Sequence, residues 1–158
     1  MLKLVICLTK NIMTRIKAQL IAFLLVFVAA SVCAEENLDS KLNLVNAWIK
    51  KPMPGMMMTA GFVEITNLSE QTIVLIDVRT PVSNVAELHG MKMVDGVMKM
   101  RYADNGWPIA VGETLSLAPG GKHAMLMGLQ EALQTQQQVV LEFNFVGLGW
   151  ITIKAQVR

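Results

Sequence analysis

Beyond residue 34 this chain has no cysteine; its two, Cys7 and Cys33, both fall in the opening stretch. That absence excludes a disulfide-stapled domain, a thiolate zinc site and a blue-copper electron carrier, whose metal needs a cysteine sulfur. Acidic residues are missing from residues 1–34, where Lys3, Lys10, Arg15 and Lys17 supply all the charge. Long apolar runs are missing too. Leu20–Ala30 is about eleven residues, against the roughly 20 that a helix needs to span a bilayer. No serine sits in a nucleophile elbow, and no nucleophile–base–acid trio can be assembled. The chain does not read as an enzyme.

What is present at the start describes export. A basic beginning, a short apolar run and the sequence Val32-Cys33-Ala34 form a secretory signal over residues 1–34. Met13 offers an alternative start, since Met13-Thr14-Arg15-Ile16-Lys17 is already a complete basic region. Val32 precedes Cys33 where a lipidation site wants a small residue, so cleavage near Ala34 and release into the periplasm are expected. Four of the 14 Lys+Arg leave with the signal and none of the 12 Asp+Glu, so residues 35–158 carry a net charge of −2. That balance gives no electrostatic case for nucleic acid or an acidic membrane surface, and no stable membrane insertion is expected after cleavage.

Residues 35–158 are enough for one domain with its own core. Short runs rich in Val, Ile, Phe and Thr recur: Leu42–Lys50, Thr59–Asn67, Thr72–Arg79, Val85–Val94, Val97–Tyr102, Thr114–Leu117, Ala124–Leu129, Val139–Phe145 and Trp150–Val157. Breaks fall at Pro52–Gly55, Asn67–Glu70, Asp95-Gly96, Asp104–Pro108, Pro119-Gly120-Gly121 and Gly147–Gly149. This spacing predicts an all-β sandwich or barrel. Only Gln130–Gln137 reads as helical, over two turns at most.

Ten of the 12 methionines lie beyond residue 34, an excess whose plainest explanation is that methionine is a flexible filler of irregular cores. Both histidines of that region stand beside methionines at period-two spacing, in His89-Gly90-Met91-Lys92-Met93 and His123-Ala124-Met125-Leu126-Met127. On a strand, residues i and i+2 share a face, so each group aligns an imidazole with two thioethers. Asp95-Gly96 between alternating residues signals a two-residue hairpin. Pairing Val94 with Val97 then sets Met93 opposite Met98, Met91 opposite Met100 and His89 opposite Tyr102. The pattern reads as methionines facing in, with Lys92 and Lys99 facing solvent.

His89 and Met100, with His123 and Met125 from another strand, make a candidate site of two nitrogens and two sulfurs; Met91 is an auxiliary candidate. Neutral soft thioethers favour copper(I), whereas zinc prefers Cys, His and carboxylate, and calcium and magnesium want oxygen. Met93, Met98 and Met127 are expected either to pack in the core or to stand behind the ligands. Met56-Met57-Met58 reads either as an exposed loop that hands copper in or out, or as the start of a strand packing over the site. Trp48, Trp107 and Trp150 read as core or surface anchors, and Glu87, Asp95 and Asp104 as solvated or turn carboxylates. A structural or adhesive domain with a methionine-rich core and no metal remains the alternative.

At these residues the sequence resembles the periplasmic copper chaperones of the PCu(A)C type. Their pattern is a histidine, ten residues, a methionine, about twenty-one residues, then His-x-Met. Here ten residues separate His89 from Met100 and twenty-two separate Met100 from His123, with Met125 following. Asn46-Ala47-Trp48, Ala60–Asn67, Glu87-Leu88-His89, Val97–Arg101 and Leu117–Leu129 are similar to the family as well. The resemblance implies a cupredoxin-like Greek-key β-sandwich holding copper(I) through His89, Met100, His123 and Met125. It also implies a partner that accepts the copper, such as a cytochrome oxidase subunit or its assembly factor. Storage or resistance is the alternative role.

Overall fold

A computed structural model describes residues 41–158 of the protein; the expected export signal and both cysteines lie outside the described residues. The described chain is ten strands without a helix: β1 (Leu42–Ile49), β2 (Met58–Asn67), β3 (Ile73–Arg79), β4 (Ser83–Val94), β5 (Val97–Tyr102), β6 (Trp107–Ile109), β7 (Thr114–Leu117), β8 (His123–Leu129), β9 (Gln138–Phe145) and β10 (Gly149–Val157). Period-two burial drives them. In β9, Val139, Leu141, Phe143 and Phe145 are buried while the residues between them are not, which is the pattern of a strand with one face on a core.

The strands follow one another in the order β5-β4-β8-β2-β1-β10-β9-β3-β6, and β7 also pairs with β2. Neighbours such as β4–β8 and β3–β9 are distant in sequence, as the crossovers of a Greek key require. The ribbon folds over on itself. A Cβ placed on Gly61 of β2 would stand 3.3 Å from Leu141 Cδ1 of β9, although two strands separate them along the ribbon. The result is a cupredoxin-like β-sandwich. A bulge in β1 helps to close it: Asn46 takes a φ of 56°, the register with β2 shifts between Val45 and Trp48, and Trp48 and Ile49 then pair in parallel with Gln156 and Val157 of β10. The extra residue bends the strand toward its second partner.

Two expectations fail. Gln130–Gln137 is not helical but an irregular link, tied by Gln134 N donating to Gln137 Oε1 at 2.8 Å and anchored by buried Leu133. Eight residues, six of them polar and with Leu133 as the one large apolar anchor, cannot offset helix nucleation. The expected break at Asp104–Pro108 contains the start of β6, which pairs Trp107, Pro108 and Ile109 with β3 at the end of the sheet. Proline lacks an N–H and is tolerated on an edge strand.

What positions the site is the alternation in β4 and β8. Leu88, Ala124 and Leu126 are buried in the core. Their neighbours Glu87, His89, His123 and Met125 therefore stand on the opposite, outer face of the sheet.

Candidate metal centre

The β4–β5 hairpin has the register read from its turn. Val94 pairs with Val97, Met93 with Met98, Met91 with Met100 and His89 with Tyr102. Asp95 and Gly96 take φ values of 52° and 77°, the two left-handed residues of a type I′ turn. On its other side β4 pairs with β8, so that His89 lies directly opposite His123 and Glu87 opposite Met125. β4 is thus the middle of three strands at one end of the sheet, and the two histidines meet across it.

The imidazole centroids are 6.0 Å apart with the rings inclined at 60°. Each ring has one nitrogen tied and one left over. His123, 6% exposed, sets Nδ1 3.1 Å from the Gly121 carbonyl oxygen. A carbonyl only accepts, so Nδ1 carries the proton and Nε2 keeps its lone pair. His89 Nε2 lies 2.8 Å from Glu87 Oε2. The carboxylate accepts there, so in the neutral ring the lone pair is on Nδ1. That Nδ1 is buried and, among the described residues, is the one buried side-chain nitrogen or oxygen without a hydrogen-bond partner. Buried polar atoms are otherwise almost always paired. A bare imidazole nitrogen whose opposite nitrogen is held by a carboxylate is the arrangement that orients a histidine toward a metal.

Met100 and Met125 flank this pair from opposite sides. Met100 sits opposite Met91, diagonal to His89 on β5; Met125 sits between Glu87 of β4 and Ala60 of β2. Their positions differ by four residues along the strand direction, roughly 13 Å at the usual rise. One methionine thus stands on each flank of the two rings. Among the described residues no three His, Cys, Asp or Glu gather into a metal-binding group.

The expectation of methionines facing in and lysines facing out fails at three methionines and one lysine, while Met91 is half-buried and Lys92 is exposed as expected. Met93, Met98 and Met100 are 58%, 48% and 42% exposed, whereas Lys99 is half-buried. The core side of β4 and β8 is taken by Leu88, Ala124 and Leu126, and the hairpin runs past the end of the core. Met93 and Met98 are accordingly not packing residues, while Met127 is half-buried opposite Met58. Met56, Met57 and Met58 are exposed, with Met58 opening β2, so they do not pack as a cover.

Sequence reasoning missed Glu87, read as a solvated carboxylate but bonded to His89. The Glu-x-His spacing on a strand was the signal. Tyr102 adds an edge-on ring 6.1 Å from His89. Lys122, next to His123 in sequence, holds its ammonium 5.3 Å from the Trp107 ring. The other tryptophans are anchors: Trp48 packs on Phe62 at 4.4 Å, and Trp150 lies under the Arg79 guanidinium at 4.1 Å.

A family model described as LpqE-like, a lipoprotein family, matches residues 42–157, nearly all of the described chain. The chain belongs to the LpqE-like family. A curated relative named "Putative lipoprotein Lxx21020", from Leifsonia xyli subsp. xyli, is 34% identical over 99 residues, covering 63% of this chain and 58% of the relative. The chain thus spans less than two thirds of that relative's length. Solved structures share the fold and bear out the PCu(A)C resemblance. The solution structure of CuI-DR1885 from Deinococcus radiodurans is 26% identical, covers 82% of this chain and 85% of its own, and superposes with a TM-score of 0.56. Its apo form is 25% identical over 75% of this chain and 79% of its own, with a TM-score of 0.59. The copper-bound PCuAC domain from PmoF2 is 18% identical, covers 75% of this chain and 92% of its own, and has a TM-score of 0.61, a likeness of fold.

Proposed function

We propose that this LpqE-like protein is an exported copper(I) carrier that holds one ion tightly between His89 and His123, with Met100 and Met125 closing the shell from either flank. The observation that carries this reading is the opposed pair of imidazoles, each tied at one nitrogen, with the buried Nδ1 of His89 left bare. The donor set is soft and neutral, which suits a monovalent soft ion over zinc, calcium or magnesium. The copper-bound state of its structural relatives supports the same choice of cargo.

The role is binding and transfer without a chemical step. Neutral thioethers on an exposed sheet face are displaced one at a time by an incoming partner's ligands, so the ion leaves without the core opening. We place the protein in the periplasm, its signal removed near Ala34, with a copper-accepting partner such as a cytochrome oxidase subunit or its assembly factor. The lipoprotein names of its family and relative support export. Mass spectrometry of the mature N-terminus distinguishes a free Glu35 from a lipidated Cys33.

Copper(I) titration against a chromogenic chelator tests the site. The wild type is expected to hold one tight equivalent, which His123→Ala plus Met125→Ala abolishes while the β-sheet circular dichroism persists. Copper held as tightly by that double variant would overturn the assignment. Deleting the gene separates delivery from storage or resistance: loss of copper from the oxidase marks the first, copper sensitivity with intact oxidase the second.

A further inference from the structure

The outer face of the β4–β5 hairpin carries thioethers outside the set His89, His123, Met100 and Met125, among them Met91, the auxiliary candidate. Met93 is directly opposite Met98, and Met91 lies two residues from Met93 on the same strand and face. Opposed Cβ atoms are about 5 Å apart and diagonal ones roughly 7–8 Å, within reach of three unbranched side chains converging on one ion. Met93 and Met98 are among the more exposed apolar side chains of the described protein, so packing does not account for them. Local propensity does not either. A two-stranded ribbon beyond the core is marginal by itself and is best supported by β-branched or aromatic cross-strand pairs. This ribbon has methionine at four such positions, where exposure invites oxidation to the sulfoxide. Lys92 and Lys99 alternate onto the other face, leaving the thioether face free of like charge.

We propose that the thioethers of Met91, Met93 and Met98 form a second, weaker site for copper(I) or another soft monovalent cation, next to the histidine-centred site. Three neutral sulfurs without an imidazole bind a soft ion less tightly than the mixed site. The Met93–Met98 pair lies two positions along the hairpin from the Met91–Met100 pair, so an ion taken up there is next to the tighter position.

The test uses silver(I), an air-stable soft monovalent probe, followed by copper(I) under anaerobic conditions. Titration of the purified protein is read by the ε-methyl resonances of the methionines. Two equivalents are expected, the second shifting the Met93 and Met98 methyls. Met93→Leu plus Met98→Leu, which preserves bulk, is expected to lose the weak equivalent while the tight affinity changes less than about twofold. His89→Ala plus His123→Ala is expected to keep a weak equivalent with the same methyl shifts. Unmoved Met93 and Met98 methyls through two equivalents, or a leucine variant that still takes up both, would overturn the proposal. If the wild type took up only the weak equivalent, at Met93 and Met98, this site would stand and the histidine-centred one would fall.

Discussion

Glu87 and His89 form a unit of two residues with separate tasks: the carboxylate fixes the ring, and the ring offers its remaining nitrogen. Loss of such a supporting group typically costs 10–100-fold in metal affinity. Glu87→Gln keeps the shape and a hydrogen-bonding group but removes the charge. It is expected to weaken copper(I) binding about tenfold, at the low end of that range, with the unfolding midpoint unchanged; chelator competition and thermal melting check the two halves. The candidate ligands were legible because His-x-Met occurs twice and one Asp-Gly turn fixes which methionine faces which. Glu87 was legible only in part: Glu-x-His puts it on the face of His89, but the spacing does not say whether the carboxylate turns to water or to the imidazole. The direction of the methionine stripe was misread for a related reason. Alternation says which residues share a face, but not which face meets the core.

At the scale of elements, the hairpin turn sets the site's spacing. Gly96 takes a φ of 77° with open space around it, so a side chain there meets backbone strain rather than a clash. Gly96→Ala is expected to cost about 1 kcal/mol and to weaken the pairing of Met91 with Met100, seen as faster amide exchange along β5 while β9 and β10 are unaffected. The long strands were readable from their alternation. β6 was hidden because three residues containing a proline look like a turn until β3 is there to pair with them. The 130–137 link was mistaken for a helix because glutamines favour one locally, and only the missing apolar face argues otherwise.

Across the whole molecule, polar contacts fasten elements that hydrophobic burial has brought together. Asn67, fully buried at the end of β2, donates through Nδ2 to the carbonyls of Gln71 and Ile109 at 2.8 and 2.9 Å and accepts from Ser69 N and Oγ at 2.9 and 2.6 Å. Asn67→Ala strands those partners and is expected to destabilise the fold by about 2–3 kcal/mol, measured by denaturant unfolding. On the surface, the hydrogen bond from Arg79 holds the Glu142 carboxyl below its ordinary value near 4.5. A lowered folded-state pKa means that this contribution is present above the unfolded value and is lost as pH falls through the folded one. Glu142→Gln is therefore expected to flatten the acid side of the stability profile, read from thermal midpoints between about pH 6 and about pH 3.

The seating of the two imidazoles on the far side of β4 and β8 from Leu88, Ala124 and Leu126 has a consequence for the life cycle of the protein. In the proposed carrier, filling and emptying would happen against a wall that is already built, and an unladen copy would keep its shape between journeys. Chelation is then expected to empty it without denaturing it, so that one copy could be reused without refolding.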